Sequence, residues 1–442
     1  MPTHPHPSFR LIFRLLALLC LGVMGALPSL GAAEADGALK LVIVLSRHGV
    51  RSPLQTNLVL GKYAAERWPE WKVAPGLLTP HGREQMVQMG SYYRARYVAE
   101  GLLTGDAVQD EPLVFFRSNN LPRTMKSARA MAAGLLPGTD EPNLHARAAG
   151  QVDALFLPVQ AGAATPNRDL AVAAVLGRMG NDPANLTLAY REDLAALQQV
   201  LGPVSGQPGK VALLDAPAKV GPGQIDHAVD LRGPIRVAQQ ATDALLLQYA
   251  EGMPMADVGW GRVNSATLTQ LLKLHSLYFD VTQRTFYPAQ AQASNLADHI
   301  LKTLQRAAGG PPVPEAFGNS ENKLIVLVGH DTNIVNLGGL LGADWYLPGT
   351  QANPVLPGGA LVFELRSRPP EGRYYVRVLY VSQTLDQIRN LTPLTLAQPP
   401  GLAPIFIPGG SEAGPGYDVP FAKFEALLQR VIDPRFVLTG AP

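Results

Sequence analysis

The residues of this chain best suited to chemistry are two histidines set among charges. His48 lies in the segment Arg47-His48-Gly49-Val50-Arg51-Ser52-Pro53, with a guanidinium on either side, and His330 is followed at once by Asp331. Arginine grips phosphate oxygens two at a time and keeps its charge. Like charge pushes an imidazole among arginines towards its neutral form. A neutral imidazole can attack phosphorus and form a covalent phosphohistidine. The arginines would then meet the charge that develops on the phosphoryl oxygens. Arg123, near the start of a predicted helix, can add a third guanidinium. Asp331 is the candidate proton donor to the leaving alcohol. A helix N-terminus favours its carboxylate, whereas a bound phosphate dianion favours the protonated acid, so such a donor should work best at acidic pH. His330 reads as a phosphate ligand and not as a second nucleophile.

Both motifs ask for the same scaffold. Residues 40–46 (KLVIVLS) and 323–328 (KLIVLV) are short apolar runs rich in β-branched residues, and read as buried strands. Each histidine stands just past the end of one of them. In open α/β sheets, ligands bind in the crevice beyond the C-terminal strand ends. Further strands are predicted over 111–116, 360–365 and 374–381. Helices are predicted over 79–100, 119–136 and 420–431, with another opening at Asp331. From about 153 to 310 only helical patterns occur, at 169–176, 191–200, 234–250, 266–281 and 296–307. The expected fold class is therefore α/β, a mostly parallel sheet flanked by helices with a smaller inserted all-α domain. The expected division is an α/β domain over 34–150 and 311–442 and an α-helical cap over 151–310.

The chain has 442 residues and is 47% hydrophobic, ample for a large core and more than one lobe. Its first 33 residues read as a signal peptide: Arg10 and Arg14 precede the apolar run 15–27, Pro28 closes it, and Gly31-Ala32-Ala33 offers a small-residue cleavage site. The run is shorter than the roughly 20 residues a membrane span needs. Leu19 stands where a lipoprotein signal built on Cys20 would want a small residue. Removal of the signal takes away two arginines and no acids, leaving 35 basic and 35 acidic residues. That balance lacks the basic excess of a nucleic-acid binder. Cys20 is the only cysteine, so the mature chain has no disulfide and rests on its core. A periplasmic or secreted location is expected.

Other readings of these residues are weaker. No His-x-x-x-His or cysteine pair points to a metal. No Gly-rich phosphate loop points to a nucleoside triphosphate. His81, His145, His227, His275 and His299 are isolated and read as structural or surface groups. A phosphotransferase or mutase could share the phosphohistidine chemistry, but the signal and the acid Asp331 argue against it. An exported, non-catalytic phosphate-ester binding protein would not need both His48 and Asp331.

The segment 47–53 resembles the RHGxRxP signature of the histidine acid phosphatases. Gly329-His330-Asp331-Thr332-Asn333 is similar to that family's His-Asp motif, and Leu121-Pro122-Arg123-Thr124 to its intervening Arg-Thr segment. Trp68-Pro69-Glu70-Trp71, Leu78-Thr79-Pro80-His81-Gly82, Asp344-Trp345, the run 357–364 and Gln383-Thr384-Leu385 resemble the bacterial periplasmic branch, which contains phytases and glucose-1-phosphatases. The resemblance runs in order from about 41 to 393. It implies a phosphoglycerate-mutase-like α/β domain with a smaller α domain over the site. It implies His48 as nucleophile, Asp331 as proton donor, and Arg47, Arg51, Arg123 and His330 as phosphate ligands, with no cofactor and no metal. The partner it implies is a small-molecule phosphate monoester, with no nucleic acid, and no membrane once the signal is removed. No pattern sets an oligomeric state. The phytases carry a Lys where this chain has Gln55, and Pro53-Leu54 is closer to glucose-1-phosphatase. Thr332-Asn333 and 336–339 look more like the phytases. The family's usual cysteines are missing.

Overall fold

The computed structural model describes residues 1, 37–54, 56–139, 143–224, 227–370 and 372–440. The predicted signal, with Arg10, Arg14 and Cys20, lies outside the described residues, as does Gln55.

Strand β1 (Ala38–Arg47) organises the molecule. Side chains alternate across a strand, and here both faces are apolar. Leu41, Ile43 and Leu45 join one core cluster, while Val42 and Val44 join another. A strand covered on both sides reads as a continuous apolar run, which is why 40–46 was legible. The other strands are β2 (Val114–Ser118), β3 (Leu144–His145), β4 (Lys219–Pro222), β5 (Val229–Arg232), β6 (Leu324–Gly329), β7 (Ala360–Arg368), β8 (Arg373–Ser382), β9 (Gly401–Pro404) and β10 (Val419–Pro420). The main sheet has the order β10-β8-β7-β1-β6-β2-β3, with β9 also paired to β8. β1, β6, β2 and β3 are mutually parallel. β7 is antiparallel to β1, and β8 to β7, so β8 runs with the parallel set. Most strands thus share one direction, and helices cover both faces, as expected.

One face carries α1 (Pro80–Ala99), α2 (Ala107–Asp110) and α3 (Pro122–Leu135). α1 and α3 cross with their backbones almost in contact. A Cβ on Gly90 would lie 2.0 Å from Met131 O, and one on Gly134 2.0 Å from Val87 O. The stretch between β3 and β6 contributes α4 (Arg168–Gly177), α5 (Ala184–Ala189), α6 (Arg191–Leu201), α7 (Pro234–Ala250), α8 (Ser265–Thr282) and α9 (Phe286–Ala307). After β6 come α10 (Asp331–Leu341), α11 (Leu385–Asn390) and α12 (Phe421–Val431). Leu194, Leu245 and Leu268 of the inserted helices share a continuous cluster with Ile43, Leu45 and Ile325 of the sheet. The insertion is therefore cemented to the sheet by common apolar burial.

Three departures from the sequence reading have local causes. The stretch is not purely helical, because β4 and β5 form a two-stranded antiparallel ribbon. Each is four residues long, too short for an alternating pattern to register. α9 begins about ten residues before the predicted start at 296. Pro288 falls in its first turn, where a missing N–H costs nothing. β2 starts at Val114 because Glu111–Leu113 form a short 3-10 turn.

The close α1–α3 crossing makes a stability prediction. Gly134→Ala should destabilise the fold by about 2 kcal/mol or more by overpacking, read from the urea midpoint. Gly61→Ala, whose added Cβ meets nothing within 4 Å, should stay within about 0.5 kcal/mol. Equal effects would contradict the crossing.

Candidate active site

Strand register assembles the site. Arg47 pairs with Gly329 across the parallel β1–β6 ladder, and Ser118 of β2 pairs with Val328. Three neighbouring strands therefore end at one level, and the residues that follow them meet. His48 N donates to Gly329 O at 3.1 Å, and Asn119 N to Val328 O at 3.0 Å. The His48 and His330 rings face each other edge to face with centroids 5.8 Å apart.

The loop after β1 is clamped by the helices. Gly49 N donates to Ser127 Oγ of α3 at 3.0 Å, and Val50 N to Gln85 Oε1 of α1 at 3.1 Å. The loop lies on the start of α1, where Thr79 Oγ1 caps Gly82 N at 2.8 Å. Neither partner tolerates a side chain. A Cβ on Gly49 would come within 2.6 Å of Gly82 O, and one on Gly82 within 2.1 Å of Val50 O.

His48 is buried, and its Nδ1 lies 2.9 Å from Gly49 O. A carbonyl only accepts, so Nδ1 carries the proton and Nε2 keeps the lone pair. Burial, then Arg123, Arg51 and Arg47, hold the His48 pKa well below that of a free imidazole. The ring is thus neutral at neutral and mildly acidic pH. His330 is pushed down to about 3 by burial and Arg123. Its Nε2 lies 3.2 Å from Asn119 Oδ1. Leu121 N also donates to that oxygen at 3.2 Å, which fixes the amide's orientation and puts a proton on Nε2.

Arg47 is fully buried beneath the histidines. It donates to Val355 O at 2.6 Å, and its Nη2 lies 3.0 Å from Asp243 and 3.2 Å from Asp331. Arg51 Nη2 meets the other oxygen of Asp243 at 3.2 Å. Arg123, the second residue of α3, has no ion pair among the described residues. Burial and the neighbouring Arg51 lower its pKa to about 10, so it remains charged. The Nε atoms of Arg47, Arg51 and Arg123 and the amide nitrogen of Asn119 are buried without a hydrogen-bond acceptor among the described residues. Buried donors left in this state cost free energy, and together they suit an oxygen-rich anion. Asp331 opens α10, with Oδ1 accepting from Thr332 N at 2.8 Å. Burial raises its pKa, but Arg47 and Arg51 outweigh burial and the nearby Asp243, and the carboxyl sits below its ordinary value.

These groups face a cleft of about 760 Å³, lined by His48, Arg51, Arg123, His330, Asp331 and residues of the inserted helices. All six residues singled out in the sequence meet at this site, with Arg47 behind its floor and the other five on its wall. No cluster that could hold a metal ion occurs among the described residues.

The histidine phosphatase superfamily (branch 2) matches residues 38–381. Phytase AppA of Escherichia coli is 34% identical over 397 residues, which cover 87% of this chain and 90% of that protein. Glucose-1-phosphatase of Salmonella typhimurium is 30% identical over 423 residues, 93% of this chain and 98% of that protein. The solved structure of Hafnia alvei phytase in complex with tartrate superposes with a TM-score of 0.84 at 34% identity, covering 91% of this chain and 99% of that one.

The chain belongs to the histidine phosphatase superfamily, branch 2. As a branch 2 histidine phosphatase it is a phosphoric monoester hydrolase.

In this histidine phosphatase, two supporting residues escaped the sequence reading. Asp243 binds both Arg47 and Arg51. Burial raises its pKa, but Arg51, His275 and Arg47 bring it well below a free carboxylate. The signal was present, since Asp243 is the one acid in the otherwise uncharged and basic run of α7. Asn119 orients His330 and follows β2 directly. His275, read as isolated, lies 3.8 Å from Asp243, and His227 lines the cleft. Leu54 is exposed at the cleft rim.

Asp243→Asn should lower kcat/KM for p-nitrophenyl phosphate about tenfold to a hundredfold, since removing one member of a buried charge pair costs a few kcal/mol. Steady-state kinetics would check this, and unchanged activity would contradict the anchoring role. The depressed pKa values of His48 and His330 mean that the unfolded chain binds protons more readily below about pH 6.5. Stability should therefore fall as pH drops from 6.5 towards 3, as followed by urea midpoints. A flat profile would contradict neutral buried histidines.

Proposed function

We propose that this histidine phosphatase is an exported acid phosphatase that works through a phosphohistidine on His48. The observation that carries the reading is the neutral His48, with Nδ1 held at Gly49 O, in a cleft that Arg51, Arg123 and His330 also line. The phosphoryl group lies among Arg51, Arg123 and His330, with Arg47 beneath. Nε2 attacks phosphorus, and the P–N bond forms as the bond to the alcohol oxygen breaks. Arg47, Arg51 and Arg123 offset the charge on the phosphoryl oxygens. The leaving oxygen takes its proton from Asp331. A water molecule then gives a proton to the Asp331 carboxylate and attacks phosphorus, which breaks the P–N bond and returns His48 to its neutral form. His330 offers its Nε2–H to a phosphate oxygen in competition with Asn119.

The arginines keep Asp331 ionised in the protein alone, and phosphate negative charge draws its pKa upward. Donor activity is therefore lost as pH rises, while His48 stays neutral as pH falls. Both effects favour acidic conditions. Among the described residues, no helix is long and apolar enough to cross a membrane. We take 34–150 and 311–442 as the catalytic body, 151–310 as the cap, and the periplasm or exterior as the location. The wall supplied by the cap includes Gln239, Gln240, Gln283 and Gln292, whose amides suit a hydroxyl-rich alcohol such as a sugar or an inositol.

Wild type, His48→Ala and Asp331→Asn should be assayed on p-nitrophenyl phosphate, glucose 1-phosphate and phytate across pH. His48→Ala should lose activity by more than about a thousandfold on all three, and retained activity would contradict the nucleophile. Asp331→Asn should cost far more on the two poor leaving groups than on p-nitrophenol, a step of about 10²–10⁴. An equal loss on all three would count against Asp331 as the acid.

A further inference from the structure

Two buried charges take no part in the phosphoryl chemistry. Arg117 and Asp153 are 2% and 1% exposed, and they meet at 2.7 Å. Side chains alternate along β2. Phe116 joins the core that holds Tyr92 of α1 and Met131 of α3, so Arg117 points to the opposite face, with Phe115. That is the face on which the inserted stretch packs, and Asp153 lies at the start of that stretch.

The pair fixes a turn. Asp153 Oδ1 accepts from Leu155 N at 3.2 Å, and the Asp153 carbonyl accepts from Phe156 N at 3.1 Å and Leu157 N at 2.8 Å. The Arg117 guanidinium lies 5.6 Å from the Phe156 ring centroid and donates to Ser118 O. The turn in its own right reaches the site. Phe156 O accepts from Asn333 Nδ2 at 2.8 Å, and Asn333 Oδ1 accepts from His330 N at 2.9 Å. That amide closes the first turn of α10, where Asp331 stands. The fit is close, since a Cβ on Gly329 would lie 2.7 Å from the Phe156 ring. Apolar burial alone would hold the turn at less cost. A buried ion pair gives up its hydration, and an apolar pair of similar volume is often as stable or more so. What the ion pair adds is direction, because hydrogen-bonded charges fix angles that apolar contacts leave free.

We propose that Arg117 and Asp153 are positioning residues for the proton donor. The proposal rests on the phosphatase reading above, in which Asp331 protonates the leaving alcohol. The pair aims the Phe156 carbonyl, the carbonyl orients Asn333, and Asn333 sets the turn that carries Asp331. Loss of the pair shifts the Asp331 carboxyl away from the leaving oxygen. His48 stays in place, because its loop is clamped by Ser127 of α3 and Gln85 of α1. The cost therefore falls on protonation of the leaving group and not on attack at phosphorus.

The test measures kcat and KM on p-nitrophenyl phosphate and glucose 1-phosphate for wild type, Asp331→Asn, the double variant Arg117→Met/Asp153→Leu, and all three changes combined. Removing both charges together leaves no buried ion unpaired. The double variant should lose about tenfold or more in kcat on glucose 1-phosphate, whose alcohol needs the proton, and no more than about threefold on p-nitrophenyl phosphate. KM should move little on either ester. Added to Asp331→Asn, the same two changes should cost no more than about threefold on either ester, because the donor they position is already gone. Asp153→Asn, which keeps the shape of the turn, should show a smaller loss with the same selectivity, and it replaces the double variant if that does not fold. Wild-type rates, equal losses on the two esters, a change in KM alone, or a full further loss on top of Asp331→Asn would overturn the positioning role. Absence of turnover by the wild type, or equal losses on both esters in Asp331→Asn alone, would instead overturn the phosphatase reading beneath it.

Discussion

The site depends first on the register of three parallel strands. β1, β6 and β2 end together, so residues separated by hundreds of positions meet without a long loop. A one-residue slip would turn every side chain of a strand to the opposite face. Here such a slip is blocked by two cores at once, because Ile43 and Val44 are each fully buried on opposite sides. The hydrophobic pattern that holds the sheet thus also sets where His48 and His330 stand.

The second constraint is charge. Three arginines and two imidazoles share a buried space, and like charges there are costly. The structure offsets this cost in two ways. Asp243, with one oxygen on Arg47 and the other on Arg51, neutralises part of the cluster and fixes its geometry. Burial and the remaining positive field keep both imidazoles neutral. Arg123 keeps its charge without a direct ion pair among the described residues. An anion is the natural complement of that set, and the same field that attracts it keeps the nucleophile deprotonated.

Much of this was legible in the sequence because the essential residues sit at element boundaries. His48 and His330 directly follow apolar runs whose identity as strands is plain, and Arg123 follows a Pro that starts a helix. Asp243 and Asn119 were not legible for a physical reason. Their work is to hold other site residues, and that work appears only when α7 is laid over the sheet and β2 beside β6. The glutamines of the cap belong to the same class, because a helix face becomes a cleft wall only through its packing. The β4–β5 ribbon stayed hidden because four-residue strands carry too little periodicity.

The role of His48 is best tested by trapping the phosphoenzyme. Rapid acid-free quench of the wild-type protein turning over ³²P-labelled p-nitrophenyl phosphate, followed by peptide mapping, should place one base-stable, acid-labile phosphoryl group on His48. Its attachment should be at Nε2, and none should form in His48→Ala. A label on another residue, or full turnover with no covalent phosphoryl group at any time, would contradict the nucleophile and with it the mechanism.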